Sequence, residues 1–177
     1  SDVCSSDLVT QSLDAAGHYR PASRAGGILR VADCKRLGHR VLGNDHASVW
    51  DIGEGVACCE FHSKANALSR ESMEVLDQAI DAVSGGFRAL VVGNDAPHYS
   101  VGFNIEFVLN RAKAGDFDSI ERGLEAFHAT CMRLRGAPFP VVSAPAGMAL
   151  GGGYEVVLHS DASVLHSNTV LGLVEPM

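Results

Sequence analysis

The sequence predicts a layered α/β domain, and three observations carry that prediction. From Ala47 onward, short apolar strand signals alternate with segments of helical periodicity. Residues 89–92, Ala-Leu-Val-Val, are apolar at every position, as in a strand buried on both faces of a parallel sheet. The 19 glycines suit a chain with many tight turns between such elements.

Taken in order, the elements begin late. The chain opens on Ser1 rather than Met, so something upstream is expected to be missing. Residues 1–8, Ser-Asp-Val-Cys-Ser-Ser-Asp-Leu, read like a translated sequencing adapter and are expected to be non-native. Residues 9–46 mix Gly, Pro, Arg and Ser with weak periodicity, the chemistry of a linker, with a short helix around Val31 to Leu37.

The pattern sharpens at Ala47. Residues 48–52 and 56–62 read as strands joined by Gly53-Glu54-Gly55, a hairpin turn. Ser69 is placed to cap a helix whose apolar positions Met73, Leu76, Ile80 and Val83 recur at helical spacing up to Gly85-Gly86. Strand 89–92 follows, then a loop over residues 97–104. Residues 118–135 put Ile120, Leu124, Phe127, Cys131 and Leu134 on one helical face, with Asp118 or Ser119 as the expected cap. Pro140 and Pro145 bracket a strand at residues 141–143, and residues 161–166 read as one more short strand. Right-handed crossovers are expected between the parallel strands.

Composition excludes several classes of function. At 177 residues the chain suits one domain with a sizeable core. A formal charge of −7, with Lys and Arg scattered, argues against a nucleic-acid partner. No apolar run approaches the length of a membrane span and no signal-peptide pattern opens the chain, so a cytoplasmic location is the expectation. Five cysteines without a C-x-x-C pair read as reduced thiols. His159 and His166 have no third ligand at metal-like spacing, so no metal site is expected.

The stretch with most chemical content is Ala149-Leu150-Gly151-Gly152-Gly153-Tyr154-Glu155. Consecutive glycines let backbone N–H groups approach a ligand with no Cβ in the way. If a helix starts near Gly152, its free N–H groups favour developing negative charge, and Glu155 lies one turn on as a candidate acid or base. Spacing alone suits a plainer reading better, a packed turn before a core helix whose Glu faces solvent. The run has neither the G-x-G-x-x-G order of a dinucleotide loop nor a G-K-[ST] ending.

The ordered set of motifs says more than any member. Lys64-Ala65-Asn66-Ala67-Leu68, then Tyr99-Ser100-Val101-Gly102-Phe103-Asn104, then residues 147–155, then Gly172-Leu173-Val174-Glu175-Pro176 resemble the crotonase (enoyl-CoA hydratase/isomerase) superfamily from about Ala47 to the last residue. The resemblance implies the crotonase (ClpP-like) fold of stacked ββα units, cut before its C-terminal helices. It implies an acyl-CoA thioester whose carbonyl oxygen lies between the backbone N–H groups of Phe103 and Gly152. It further implies Glu155 and Glu175 as the catalytic pair, 175 − 155 = 20 residues apart, with Glu155 the water-activating base and Glu175 the proton donor. Lys64, Ala65, Asn66 and Val101 fall on the segments that meet coenzyme A. Phe103 stands where alanine is common, which keeps the backbone donor and adds bulk beside the acyl site. Asn104 stands where aspartate is usual, which leaves a carboxylate's role there open.

A narrower resemblance comes from Gly17-His18-Tyr19-Arg20-Pro21, Glu60-Phe61-His62-Ser63-Lys64 and Leu90-Val91-Val92-Gly93-Asn94-Asp95-Ala96-Pro97, which are similar to bacterial fusions of a 3-hydroxyacyl-CoA dehydrogenase with a crotonase domain. It implies that residues 9–46 link the two domains, that residues 47–177 are the front portion of the crotonase domain, and that NAD belongs to a dehydrogenase half not included here. The implied activity is hydration of trans-2-enoyl-CoA in fatty-acid β-oxidation, with no metal or organic cofactor beyond the coenzyme A of the substrate, and a homo-oligomer at full length. The alternatives are an enoyl-CoA isomerase and an inactive acyl-CoA-binding segment.

Overall fold

The computed structural model describes residues 11–21, 30–36 and 38–174. The sequence readings that fall on residues 1–10, 22–29, 37 and 175–177 therefore lie outside the described residues, Glu175 among them.

A six-stranded sheet runs in the order β3-β4-β5-β6-β7-β9. Its strands are β3 (Arg40–Gly43), β4 (Ala47–Asp51), β5 (Val56–Phe61), β6 (Ala89–Gly93), β7 (Val141–Ala144) and β9 (Ala162–Ser163). Pairing is antiparallel from β3 to β5, where tight turns join neighbours, and parallel from β5 to β9, where helices intervene. Two small sheets complete the set: the hairpin of β1 (Gln11–Leu13) with β2 (Tyr19–Pro21), and β8 (Met148–Leu150) paired in parallel with β10 (Val170–Gly172).

Five helices accompany these strands among the described residues: α1 (Val31–Arg36), α2 (Arg70–Gly86), α3 (Ile105–Lys113), α4 (Phe117–Arg135) and α5 (Gly152–Leu158). Helix α2 is the one the periodicity describes best. Ser69 caps it in a reciprocal box with Ser72, and Met73, Leu76, Ile80 and Val83 are all buried. It lies against β4, β5, β6 and α4, closing a core that includes Val49, Phe61, Leu90, Val92 and Leu134. The apolar strand at residues 89–92 is seen as β6, parallel to neighbours on both sides.

The structure refines the element-level readings. The cap of α4 is Asp116, whose side chain accepts from Ser119 N–H, not Asp118 or Ser119. Only the C-terminal half of the α4 apolar face is buried, at Phe127, Cys131 and Leu134, while Leu124 is exposed. The strand expected over residues 161–166 is seen as β9 at an exposed sheet edge, with Asp161, Val164 and His166 N–H donating to Val141, Ser143 and Pro145 O on either side of its ladder pairs. Helix α3, on which the sequence reading is silent, sets Ile105, Val108, Leu109 and Ala112 at helical spacing, yet none of its residues is buried.

Part of the stretch read as linker is packed. Strand β3 forms the sheet edge, and α1 lies on β4 with Val31 and Cys34 buried. Two carboxylates hold this six-residue helix: Asp95 accepts from Ala32 N–H at 2.8 Å, and buried Glu60 pairs with Lys35 at 2.5 Å. A helix that short has no stability of its own, so distant partners decide it.

Candidate active site

The site is built where one loop and one glycine segment press together. After β6, the Asn94 side chain donates to Tyr99 O at 3.1 Å and turns the chain. Tyr99 is buried, with its hydroxyl 3.0 Å from Ser143 Oγ, and burial pushes its pKa up, so it stays a neutral anchor. Ser100 then runs beside β8: its N–H donates to Met148 O at 3.1 Å, and Leu150 N–H donates to its carbonyl at 2.9 Å. The other edge of β8 is filled by β10.

On the far side, the same loop is tied to the segment around Lys64. Leu68 N–H donates to Gly102 O at 2.7 Å and Asn104 N–H donates to Leu68 O at 2.9 Å, which leaves Phe103 between them with its own N–H pointing elsewhere. Asn66, buried, donates from its side chain to His98 O at 2.8 Å. Lys64 and Ala65 are exposed on this short 3₁₀ turn, and Val101 is half-buried on the loop.

Close approach explains the glycines. A Cβ on Gly147 would lie 1.9 Å from Pro97 O, and one on Gly153 would lie 2.6 Å from Ser100 Cβ. A Cβ on Gly102, whose φ is +90°, would sit 2.9 Å from Leu150 O and 3.4 Å from Gly152 N. Glycine at these positions lets two backbones touch. Gly151, with φ of 49°, breaks β8 and starts α5.

The sequence candidates Phe103 and Gly152 are thus brought to one junction. Among the described residues, neither the Phe103 N–H nor the Gly152 N–H has a hydrogen-bond acceptor. Glu155 lies one helical turn beyond Gly152 and is half-buried. Its carboxylate has no hydrogen-bond partner among the described residues, and its charge bears on Cys131 of α4. Burial, reinforced by that charge, pushes the Cys131 thiol up to about 12. Cys131 is therefore a neutral neighbour of Glu155 rather than a nucleophile.

Other sequence expectations resolve locally. Asn104 caps α3, accepting from Glu106 N–H at 3.1 Å and Phe107 N–H at 3.4 Å. A backbone-capping role accounts for an amide as readily as for a carboxylate. His159 Nδ1 lies 2.7 Å from Glu155 O, and His166 Nδ1 lies 2.6 Å from Asn168 Oδ1. No group of three or more His, Cys, Asp or Glu side chains is gathered as a metal site among the described residues. Sequence reasoning missed His98 and Ser100, whose contacts form the junction itself; their only signal was their place within the loop motif.

Two cavities lie elsewhere. One of about 230 Å³ is lined by Lys35, Arg40, Ser48, Trp50, Glu60 and His62, and one of about 160 Å³ runs beside Val31, Cys58 and Asp95. Neither includes Phe103, Gly152 or Glu155.

The sequence model of the enoyl-CoA hydratase/isomerase family matches residues 51–177. The chain is 30% identical over 159 residues to a Bacillus subtilis (strain 168) protein named "Probable 3-hydroxyacyl-CoA dehydrogenase", covering 90% of this chain and 20% of that protein. It is 26% identical over 135 residues to a Rickettsia prowazekii (strain Madrid E) protein named as a fatty acid oxidation complex trifunctional enzyme, covering 76% of this chain and 19% of that one. The crystal structure of an enoyl-CoA hydratase from Polaromonas sp. JS666 superposes with a TM-score of 0.67 at 22% identity, over 71% of this chain and 49% of that chain. That likeness shows the crotonase fold. The chain spans about a fifth of the length of these curated relatives and about half of the solved one. No helix among the described residues is long and apolar enough to cross a membrane.

Proposed function

The chain belongs to the enoyl-CoA hydratase/isomerase family, and on that premise we propose that it carries the oxyanion site and both catalytic carboxylates, Glu155 and Glu175, of an enoyl-CoA hydratase acting in fatty-acid breakdown. The observation that carries the proposal is the meeting of two acceptor-free N–H groups, of Phe103 and Gly152, one turn from Glu155.

The chemistry asks for those parts. Addition of water forms a bond between the water oxygen and Cβ of the enoyl group, while the C=C electron pair moves onto the thioester oxygen. Two fixed donors at that oxygen offset the developing charge, each by about 3 kcal/mol. Glu155 takes the proton from the attacking water. Glu175, the second carboxylate in the sequence pattern, gives a proton to Cα, and the pair is reset by exchange with solvent. Exposed Lys64, with the backbone of Ala65 and Asn66 and with Val101, is proposed to hold the coenzyme A portion. Residues up to 46 are proposed to join a preceding dehydrogenase that would hold the NAD, with α1 (Val31–Arg36) and β3 (Arg40–Gly43) already packed on this sheet.

The test offers the full-length protein trans-2-enoyl-CoA and 3-enoyl-CoA separately. Formation of 3-hydroxyacyl-CoA from the first supports hydration. A double-bond shift in the second with no hydration of the first would replace the proposal with an isomerase working through one carboxylate. Binding without either product would replace it with an acyl-CoA-binding segment.

A further inference from the structure

We infer that Phe103 is a specificity-determining residue whose ring stops the acyl chain early, so that the substrate class of this site is short-chain 2-enoyl-CoA. This rests on the reading above that the thioester oxygen lies at the N–H groups of Phe103 and Gly152.

The ring cannot avoid the acyl chain, because it springs from one of the two residues proposed to hold the carbonyl and covers the other. A Cβ built on Gly152 would meet Phe103 Cε2 at 3.0 Å and Cδ2 at 3.2 Å, with Leu68 Cδ1 at 3.3 Å. The ring therefore lies directly over Gly152. It is also held there. Its backbone is clamped on both sides by Leu68, and its ring meets Phe127 edge-on, with centroids 4.6 Å apart at 70°. Phe127 is 2% exposed and shares the buried face of α4 with Cys131 and Leu134. Turning the Phe103 ring aside would require disturbing that packed face. With the thioester placed as proposed, acyl carbons that continue past Gly152 meet a wall made by Phe103, with Leu68 beside it and Phe127 behind it. An alanine at this position would leave the same backbone donor and remove the ring that covers Gly152.

The magnitude is large enough to read. Each methylene buried in an open apolar pocket tightens binding by about fourfold, so six added methylenes would tighten it by about a few thousandfold. A blocked pocket gains almost none of this.

The experiment measures Kd for butyryl-CoA and decanoyl-CoA by calorimetry, in the full-length protein and its Phe103→Ala and Phe103→Leu variants. These saturated thioesters bind without turnover. The wild type is expected to bind the two within about fivefold of each other, and Phe103→Ala to shift the ratio toward decanoyl-CoA by about fiftyfold or more, with Phe103→Leu between. A wild type that already prefers decanoyl-CoA by a hundredfold overturns the inference, and so does a ratio unmoved in the variants. The wild-type comparison decides the matter even if a variant fails to fold. Crotonyl-CoA hydration, measured beside it, separates the two claims: hydration with no length limit overturns the role of Phe103 alone, and a length limit with no hydration overturns the hydratase reading alone. Failure of both thioesters to bind overturns both.

Discussion

Helix α2 on strands β4 to β6 and the junction of the 97–104 loop with residues 147–153 are both tightly packed, yet they are packed by opposite means. In the first, side chains do the work: Leu76, Val83, Leu90 and Val92 are fully buried and interlock. In the second, side chains are missing, and backbone meets backbone at Gly102, Gly147 and Gly153. The difference teaches where chemistry can sit. A side-chain core leaves no backbone donor over, whereas a glycine junction brings N–H groups together without a neighbouring acceptor.

Substitutions sharpen that contrast. The largest effect is expected at Gly147→Ala, whose Cβ would lie 1.9 Å from the Pro97 carbonyl oxygen at a φ of +62°. Backbone cannot give way cheaply, so urea unfolding followed through Trp50 should show a loss of about 4 kcal/mol or more. If Gly147→Ala unfolds like the wild type, the junction is not built by close approach.

The buried thiols give the core side a pH signature. Burial first, with the charge of Glu60 behind it, pushes Cys58 up to about 12 from an ordinary 9.0. Its folded value thus lies above its unfolded one, so this stability is fully present below pH 9 and is lost as pH rises toward 12. Three pH units at about 1.4 kcal/mol each give about 4 kcal/mol for Cys58 at the top of that range. Melting temperatures across pH 7 to 11 should fall above pH 9, and a Cys58→Ala variant should fall less steeply.

Smaller effects follow in order. Leu76→Ala removes a fully buried side chain of α2 and should cost about 3 kcal/mol in the same urea assay. Ser69→Ala removes one half of the capping box and should cost about 1 kcal/mol. Ile105→Ala, at a position 70% exposed on α3, should stay within about 0.5 kcal/mol. A large loss at Ile105 would mean that α3 is covered in the full-length protein.

The same contrast governs what the sequence could reveal. Met73, Leu76, Ile80 and Val83 repeat at the helical period, and Ser69 announces the cap, so α2 is readable from composition and spacing alone. The parallel strand β6 is readable because it is apolar at every position, with Leu90 and Val92 buried on one face, Ala89 and Val91 half-buried on the other, and a parallel neighbour on each side. Helix α1 is not, since Asp95 and Glu60 hold it from far along the chain. Those two acids lie in the motifs that pointed to the fused family, and the structure gives them a physical task. At the site, glycines and Glu155 were visible as types, but a glycine does not say which backbone approaches it. Ser100 and Pro97, the partners of Gly153 and Gly147, needed three dimensions.

The most direct test of the central claim is hydration of crotonyl-CoA by the full-length protein, followed by loss of enoyl absorbance, in the wild type and in Glu155→Gln. The proposed site predicts a fall in kcat of about 10²–10⁴-fold with butyryl-CoA binding retained. Hydration by Glu155→Gln at the wild-type rate would contradict it.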